Sequence, residues 1–151
     1  MIKEVKGDLL DLFEQGEFDI IAHGANCHCL MGGGIAAQIK KRFPSVWFAD
    51  LYSKMKPIEK FGNFTMAISQ GYTGVIVNLY TQYNPGPNAD LTAIRMCMKK
   101  LAYLTKNLNR STIGLPLIGC GIGGLDWKDV RIIIEEELKD FDVTIVHYEK
   151  T

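Results

Sequence analysis

The sequence predicts a single α/β domain whose largely parallel sheet is covered by helices on both faces, and three observations predict it. Apolar runs of strand length alternate with helical patterns through most of the 151 residues, the order that a parallel sheet with crossover helices requires. Two glycine-rich segments, Gly32-Gly33-Gly34 and Gly119-Cys120-Gly121-Ile122-Gly123-Gly124, each follow a strand pattern and open a helical one. No linker, repeat or low-complexity stretch divides residues 1–151, and a chain of that length buries about 70% of its unfolded surface around one core.

Taken in order, Ile2 to Val5 reads as a first strand that Gly7-Asp8 ends, and Asp8 is placed to cap a short helix over Leu9 to Glu14. Asp19 to Ala25 is short and apolar enough for a buried strand. After the three glycines, Ile35, Ile39 and Phe43 recur at helical spacing until Pro44, and a second helical piece carries Trp47, Leu51 and Met55. Phe64 to Ser69 and Val75 to Thr81 read as strands on either side of a Gly71-Tyr72-Thr73-Gly74 turn. Tyr83 to Asn88 is a loop on composition, and Asp90 then caps the longest helix, whose stripe is Ile94, Met98, Leu101, Leu104 and Leu108. Thr112 to Ile118 is a strand, and Trp127, Val130, Ile134 and Leu138 form one helical stripe. Val143 to Tyr148 is the last strand.

Seventeen basic residues balance seventeen acidic ones, so no chain-wide field favours nucleic acid or an acidic membrane, and any anion site must be local. The first residues lack the apolar centre of a signal peptide, and no run approaches the roughly 18 apolar residues of a membrane span. The expectation is a cytoplasmic monomer without membrane contact, whose Cys27, Cys29, Cys97 and Cys120 stay free thiols.

A strand, a loop free of large side chains and a helix N-terminus together make an anion site, because unpaired amides and the positive dipole end point at one spot. The second loop also satisfies G-x-G-x-x-G, but a dinucleotide fold needs several further βα units after it. Only one strand remains. Both loops used together are the better reading, since two such loops at one sheet edge can clamp a pyrophosphate.

Four segments carry a family resemblance: Val5-Lys6-Gly7-Asp8-Leu9, the strand ending in Asn26, Gly32-Gly33-Gly34-Ile35-Ala36, and Pro116 through Trp127. In this order they resemble the macro domain, an ADP-ribose-binding module. The resemblance implies a three-layer α/β/α sandwich around a mixed, largely parallel sheet of about six strands, with ADP-ribose lying across the sheet edge and no cofactor. It implies that Asp8, beside Leu9, accepts from the adenine amino group and that Asn26 contacts the distal ribose. Amides at Gly32, Gly33, Gly34 and Ile35, and at Gly119, Gly121, Ile122, Gly123 and Gly124, would hold the phosphates. Tyr148 either packs near the adenine or is a buried edge-strand tyrosine.

Within the family, the branch that removes ADP-ribose from acidic side chains often has an aspartate where Ala36 stands, and the branch using a lysine and an aspartate would need them near Gln82 and Gly123. The segment from His23 to Ala36 is most similar to the branch that hydrolyses ADP-ribose 1″-phosphate, in which a histidine at position 23 is catalytic. The rivals are a mono-ADP-ribosyl hydrolase and a non-catalytic reader of ADP-ribose or ADP-ribosylated macromolecules.

An imidazole can move protons near neutral pH, which suits His23 to activate water or protonate a leaving oxygen. Three residues separate it from Asn26, so a regular pleat puts the two on opposite faces, and both reach one ligand only if the strand bends or ends there. A purely structural histidine is the competing reading. Asp90 and Asp126 are its candidate carboxylate partners, each also a helix cap. Cys27-His28-Cys29 with Cys120 lacks the C-x₂₋₄-C spacing of structural zinc, so no metal is expected. Lys40-Lys41-Arg42 reads as a solvated helix end rather than an RNA patch.

Overall fold

A computed structural model describes residues 2–149. Its strands are β1 (Ile2–Gly7), β2 (Ile20–Asn26), β3 (Phe64–Ile68), β4 (Val75–Gln82), β5 (Thr112–Leu115) and β6 (Asp142–Tyr148). The helices are α1 (Leu9–Glu14), α2 (Gly34–Arg42), α3 (Pro44–Leu51), α4 (Pro57–Lys60), α5 (Leu91–Asn107) and α6 (Trp127–Glu137). The strands form one sheet in the order β1-β6-β5-β2-β4-β3. All neighbours are parallel except β3 and β4, so the antiparallel strand lies at an edge and the sheet is mixed.

Strand alternation sorts the core into two layers. Ile20 and Ala22 of β2, with Val75 and Val77 of β4, pack against Ile94, Met98 and Leu101 of α5 and Val130 and Ile134 of α6. Ile21 and Ile76 point to the other face, against Phe13 of α1, Ile39 of α2, Val46 of α3 and Phe43 between those two helices. The three layers are thus helices α5 and α6, the sheet, and helices α1 to α3. β2 is the buried centre, and six of its seven residues are buried.

Prolines account for most boundary differences from the sequence reading. β5 ends at Leu115 rather than Ile118, because Pro116 has no N–H to continue a ladder. Pro44 ends α2 and also begins α3, where its missing N–H costs nothing at the first helical position. α3 stops at Leu51, leaving Met55 in a connection, and Pro57 opens the short α4 that the sequence reading lacked.

β2 is flanked by β5 on one side and β4 on the other. The carboxyl ends of β2 and β5 therefore diverge into connections that leave in opposite directions along the sheet, the crevice where open α/β sheets bind ligands.

Candidate functional site

That crevice is a cleft of about 240 Å³ between the loop after β2 and the loop after β5. Gly33, Gly34 and Ile35 form one wall, Pro116 to Gly119 and Gly121 to Gly123 the other, and Thr81 and Gln82 close the end toward β4. No residue of this lining carries an ionisable side chain. What the walls offer is backbone. Gly33 is the N-cap of α2 and supplies no capping side chain, so the first amides of the helix stay available to an anion. Gly34 has φ +56°, a conformation that a side chain resists. Gly123 is required by close approach, since a Cβ there would lie 2.7 Å from the Gly119 carbonyl oxygen and 2.8 Å from Ala89 Cβ. Across the mouth, a Cβ at Gly33 would lie 3.1 Å from Ile122 Cδ1, so the two loops nearly touch.

The expected site residues fall along the same sheet edge in a definite order. Asp8 follows β1, and Tyr148 pairs with Gly7 at the end of β6. Asp8 Oδ1 caps α1, accepting from the Leu10 and Asp11 amides at 2.9 and 3.1 Å, and lies 3.7 Å from Arg42. Leu9, the first residue of α1, is buried in the core, which leaves only its backbone for a ligand. Tyr148 is 74% exposed, so the alternative of a buried edge tyrosine is corrected. Asn26, at the end of β2, folds its amide back on its own loop: Nδ2 donates to the Leu30 carbonyl at 2.8 Å and Oδ1 accepts from the His28 amide at 2.9 Å.

His23 is not in this group. Its side chain is fully buried and points to the α3 side of the sheet, where Nε2 lies 2.6 Å from Asn78 Oδ1. Asn78 Nδ2 donates to the Val46 carbonyl and to Thr65 Oγ1, so Asn78 Oδ1 must accept and His23 donates through Nε2. Burial pushes the His23 pKa below 6.5 even though Asn78 and the Asp50 charge pull the other way. The catalytic assignment of His23 is therefore corrected: a neutral imidazole sealed beneath α3 cannot touch a ligand in the cleft. Asp90 and Asp126 are corrected as its partners too. They cap α5 and α6 on the opposite face of the sheet, accepting from Ala93 and Lys128 amides, and the carboxylate that acts on His23 is Asp50.

Asp50 organises the rest of that buried chain. Tyr80 donates to Asp50 Oδ1 at 2.6 Å and Lys60 Nζ at 2.7 Å, while Thr65 links Tyr80 to Asn78. Lys60 and Asp50 are 3% and 1% exposed. Burial alone would lower the Lys60 pKa, but the Asp50 hydrogen bond and charge outweigh it and raise it. Lys60 also reaches Cys29 Sγ at 3.3 Å, which ties the first glycine loop to α4.

The thiols are structural in their surroundings. Burial pushes Cys27 and Cys120 up to about 11 and Cys97 up to about 12, far from a nucleophilic thiolate. Among the described residues no group of three or more His, Cys, Asp or Glu side chains is placed to hold a metal ion. Sequence reasoning weighed His28 only as part of a zinc motif. His28 is half-buried on the loop after β2, 3.1 Å from Asn84 Oδ1 and edge-on to Tyr83. Its position two residues beyond Asn26 was the available signal.

A family model described as Macro domain matches residues 22–134. An uncharacterised 17.5 kDa protein of Enterobacteria phage T4 is 35% identical over 99% of this chain and 97% of its own length. A DNA ADP-ribosyl glycohydrolase of Mycobacterium tuberculosis is 28% identical over 96% of this chain, which spans only 42% of that relative. An ADP-ribose 1″-phosphate phosphatase of Candida albicans is 29% identical over 94% of both. Among solved structures, the macrodomain of Mycobacterium tuberculosis DarG superposes with a TM-score of 0.80 at 27% identity, covering 97% of each chain.

Proposed function

Taking as premise that this chain belongs to the macro domain family, we propose that its cleft binds ADP-ribose and that the protein removes the phosphate of ADP-ribose 1″-phosphate. The observation that carries the binding reading is the pair of glycine loops facing each other across a cleft without ionisable walls, where loop amides, with Thr81 and Gln82 at one end, are the groups able to meet a diphosphate. A volume of about 240 Å³ is below the size that encloses a drug-sized ligand. The cleft accordingly takes the diphosphate, and the remainder lies along the sheet edge. Adenine sits toward Asp8 and Tyr148 beyond β6, and the distal ribose toward Asn26 and Gln82 beyond β2. From β1 to β4 that edge spans four strand spacings, about 19 Å.

One observation favours phosphate release over glycosidic cleavage. Gln82 and Gly123 both line the cleft, so the positions where the lysine–aspartate branch needs its two catalytic side chains do face the ligand, and neither residue is present. Relatives of similar extent are named for both activities, an ADP-ribose 1″-phosphate phosphatase and an ADP-ribose glycohydrolase, so the missing lysine and aspartate carry the choice. In the proposed step water attacks phosphorus, the bond from phosphorus to the C1″ oxygen breaks, and that oxygen leaves with a proton. Loop amides stabilise charge on the phosphoryl oxygens, and His28 is the candidate to take or supply the proton. The lack of any acid or base in the walls favours one second reading, a module that only binds.

The test is calorimetric titration with ADP-ribose, then phosphate release from ADP-ribose 1″-phosphate and ADP-ribose release from a modified protein or DNA on the same sample. Phosphate release that falls about 10²-fold or more in His28→Ala, with ADP-ribose affinity retained, supports the mechanism. Binding without turnover of any substrate selects the reader, and no binding of ADP-ribose refutes the whole reading.

A further inference from the structure

Away from the cleft, the outer face of α3 carries an aromatic ladder that starts at the half-buried Trp47 and ends on two exposed rings. The Trp47 and Phe48 rings are 5.5 Å apart, and Phe48 and Tyr52 stack at 5.9 Å with 27° between their planes. Phe48 is 44% and Tyr52 74% exposed, so these rings are not a core stripe. Lys40 Nζ lies 4.0 Å from the Trp47 ring centroid, and Lys41, Lys54 and Lys56 are exposed on the flanking segments. Among the described residues none of these four lysines is paired with a carboxylate. Between residues 38 and 58 the one acidic residue is Asp50, which is buried against Lys60, and Glu59 accepts from the Lys56 backbone amide. A chain with no net charge thus concentrates positive charge around its exposed rings.

We propose that this face binds single-stranded nucleic acid, with bases stacked on Phe48 and Tyr52 and phosphates met by Lys40, Lys41, Lys54 and Lys56. Aromatic rings interleaved with lysines suit a strand whose bases present flat faces and whose backbone is a polyanion. A duplex hides those faces. A second copy of this chain fits worse, because a two-fold contact would press the same four lysines against themselves. The ladder also has a fixed relation to the cleft: Trp47 Nε1 donates to the Cys29 carbonyl at 3.3 Å, on the loop that leads into the three glycines. A strand on α3 therefore lies next to the loop that leads into Gly32, Gly33 and Gly34. The inference stands on the surface itself and does not depend on what the cleft binds.

The experiment is fluorescence anisotropy of labelled oligothymidylate and oligouridylate titrated with the whole protein across a salt series. Saturable binding to either strand is expected, with a slope of log affinity on log salt of about −2 to −3 for four phosphate contacts. The Phe48→Ala/Tyr52→Ala double variant should bind at least about 10-fold more weakly, the effect of losing base stacking. Lys40→Gln/Lys54→Gln/Lys56→Gln should flatten the salt slope by about 2. Melting temperature and ADP-ribose titration on the same variants show that fold and cleft are intact; strand binding by a protein that does not bind ADP-ribose still supports the inference. No saturable binding at low salt, equal binding of duplex, equal binding by the double aromatic variant, or a dimer in light scattering that this variant abolishes would each overturn it.

Discussion

Gly121 and Gly123 stand two residues apart in the same loop and both line the cleft, yet valine at the two should have opposite consequences. At Gly121 a Cβ meets nothing within 4 Å, and its φ lies outside the left-handed range. Gly121→Val therefore leaves stability within about 0.5 kcal/mol of the parent while its branches enter the space that a diphosphate needs. Losing one charge-assisted amide bond costs about 1.5–3 kcal/mol, or roughly 10- to 150-fold in affinity. At Gly123 the Cβ would sit 2.7 Å from the Gly119 oxygen and 3.0 Å from its carbonyl carbon, contacts with backbone that no rotamer relieves. Overpacking of that kind costs about 1–3 kcal/mol, which lowers the melting temperature by roughly 2–10 °C for a domain of this size. Thermal melts with and without ADP-ribose, beside calorimetry, separate the two. Wild-type ADP-ribose affinity in Gly121→Val would refute the placement of the diphosphate, whatever Gly123→Val does.

Asp8→Ala should show two losses at once: about 1 kcal/mol of stability from the α1 cap and, in titration, about 1–3 kcal/mol of ADP-ribose affinity from the adenine acceptor. Asp50→Ala leaves the Lys60 charge buried without its carboxylate, so stability should fall by about 3–5 kcal/mol, and adding Lys60→Met should restore much of it in denaturant melts. His23 gives a pH signature. Its folded pKa is depressed below 6.5 by burial, so the unfolded chain binds the proton first; its stability is present above about pH 6.5 and is lost as pH falls from there toward the folded value, at no more than about 1.4 kcal/mol per pH unit. Urea melts of wild type and His23→Asn across pH 5–7.5 should converge as pH falls; parallel curves would contradict a neutral buried His23.

The layered fold was legible because strands and helices of this chain differ in period, and because Asp8, Asp90 and Asp126 announce helix starts that the structure keeps. The glycine loops were legible for the same local reason. What the sequence could not disclose is long-range. Strand order, and the antiparallel β3 at the edge, depend on pairings between residues far apart in the chain. The buried chain from His23 through Asn78, Thr65, Tyr80 and Asp50 to Lys60 draws on β2, β4, β3, α3 and α4. Asp50 and Lys60 each look like ordinary surface charges until the fold sets them 2.7 Å apart.

Strand parity explains why His23 lies away from the cleft. On β2, His23 and Ala25 face α3 and α4, while Gly24 lines the cleft on the other side. The alternation that set His23 apart from Asn26 in the sequence therefore holds, because the irregularity lies in β4: Ala25 pairs with Tyr80 and Asn26 with Gln82, leaving Thr81 as the extra residue. A bulge re-aims side chains that alternation would separate, and here the consecutive residues Thr81 and Gln82 both line the cleft. The bend that could have brought a second functional group to the ligand occurs one strand away from where His23 needed it. It delivers an amide and a hydroxyl instead of an imidazole, which is why the proton transfer proposed above is given to His28, on the loop beyond Asn26.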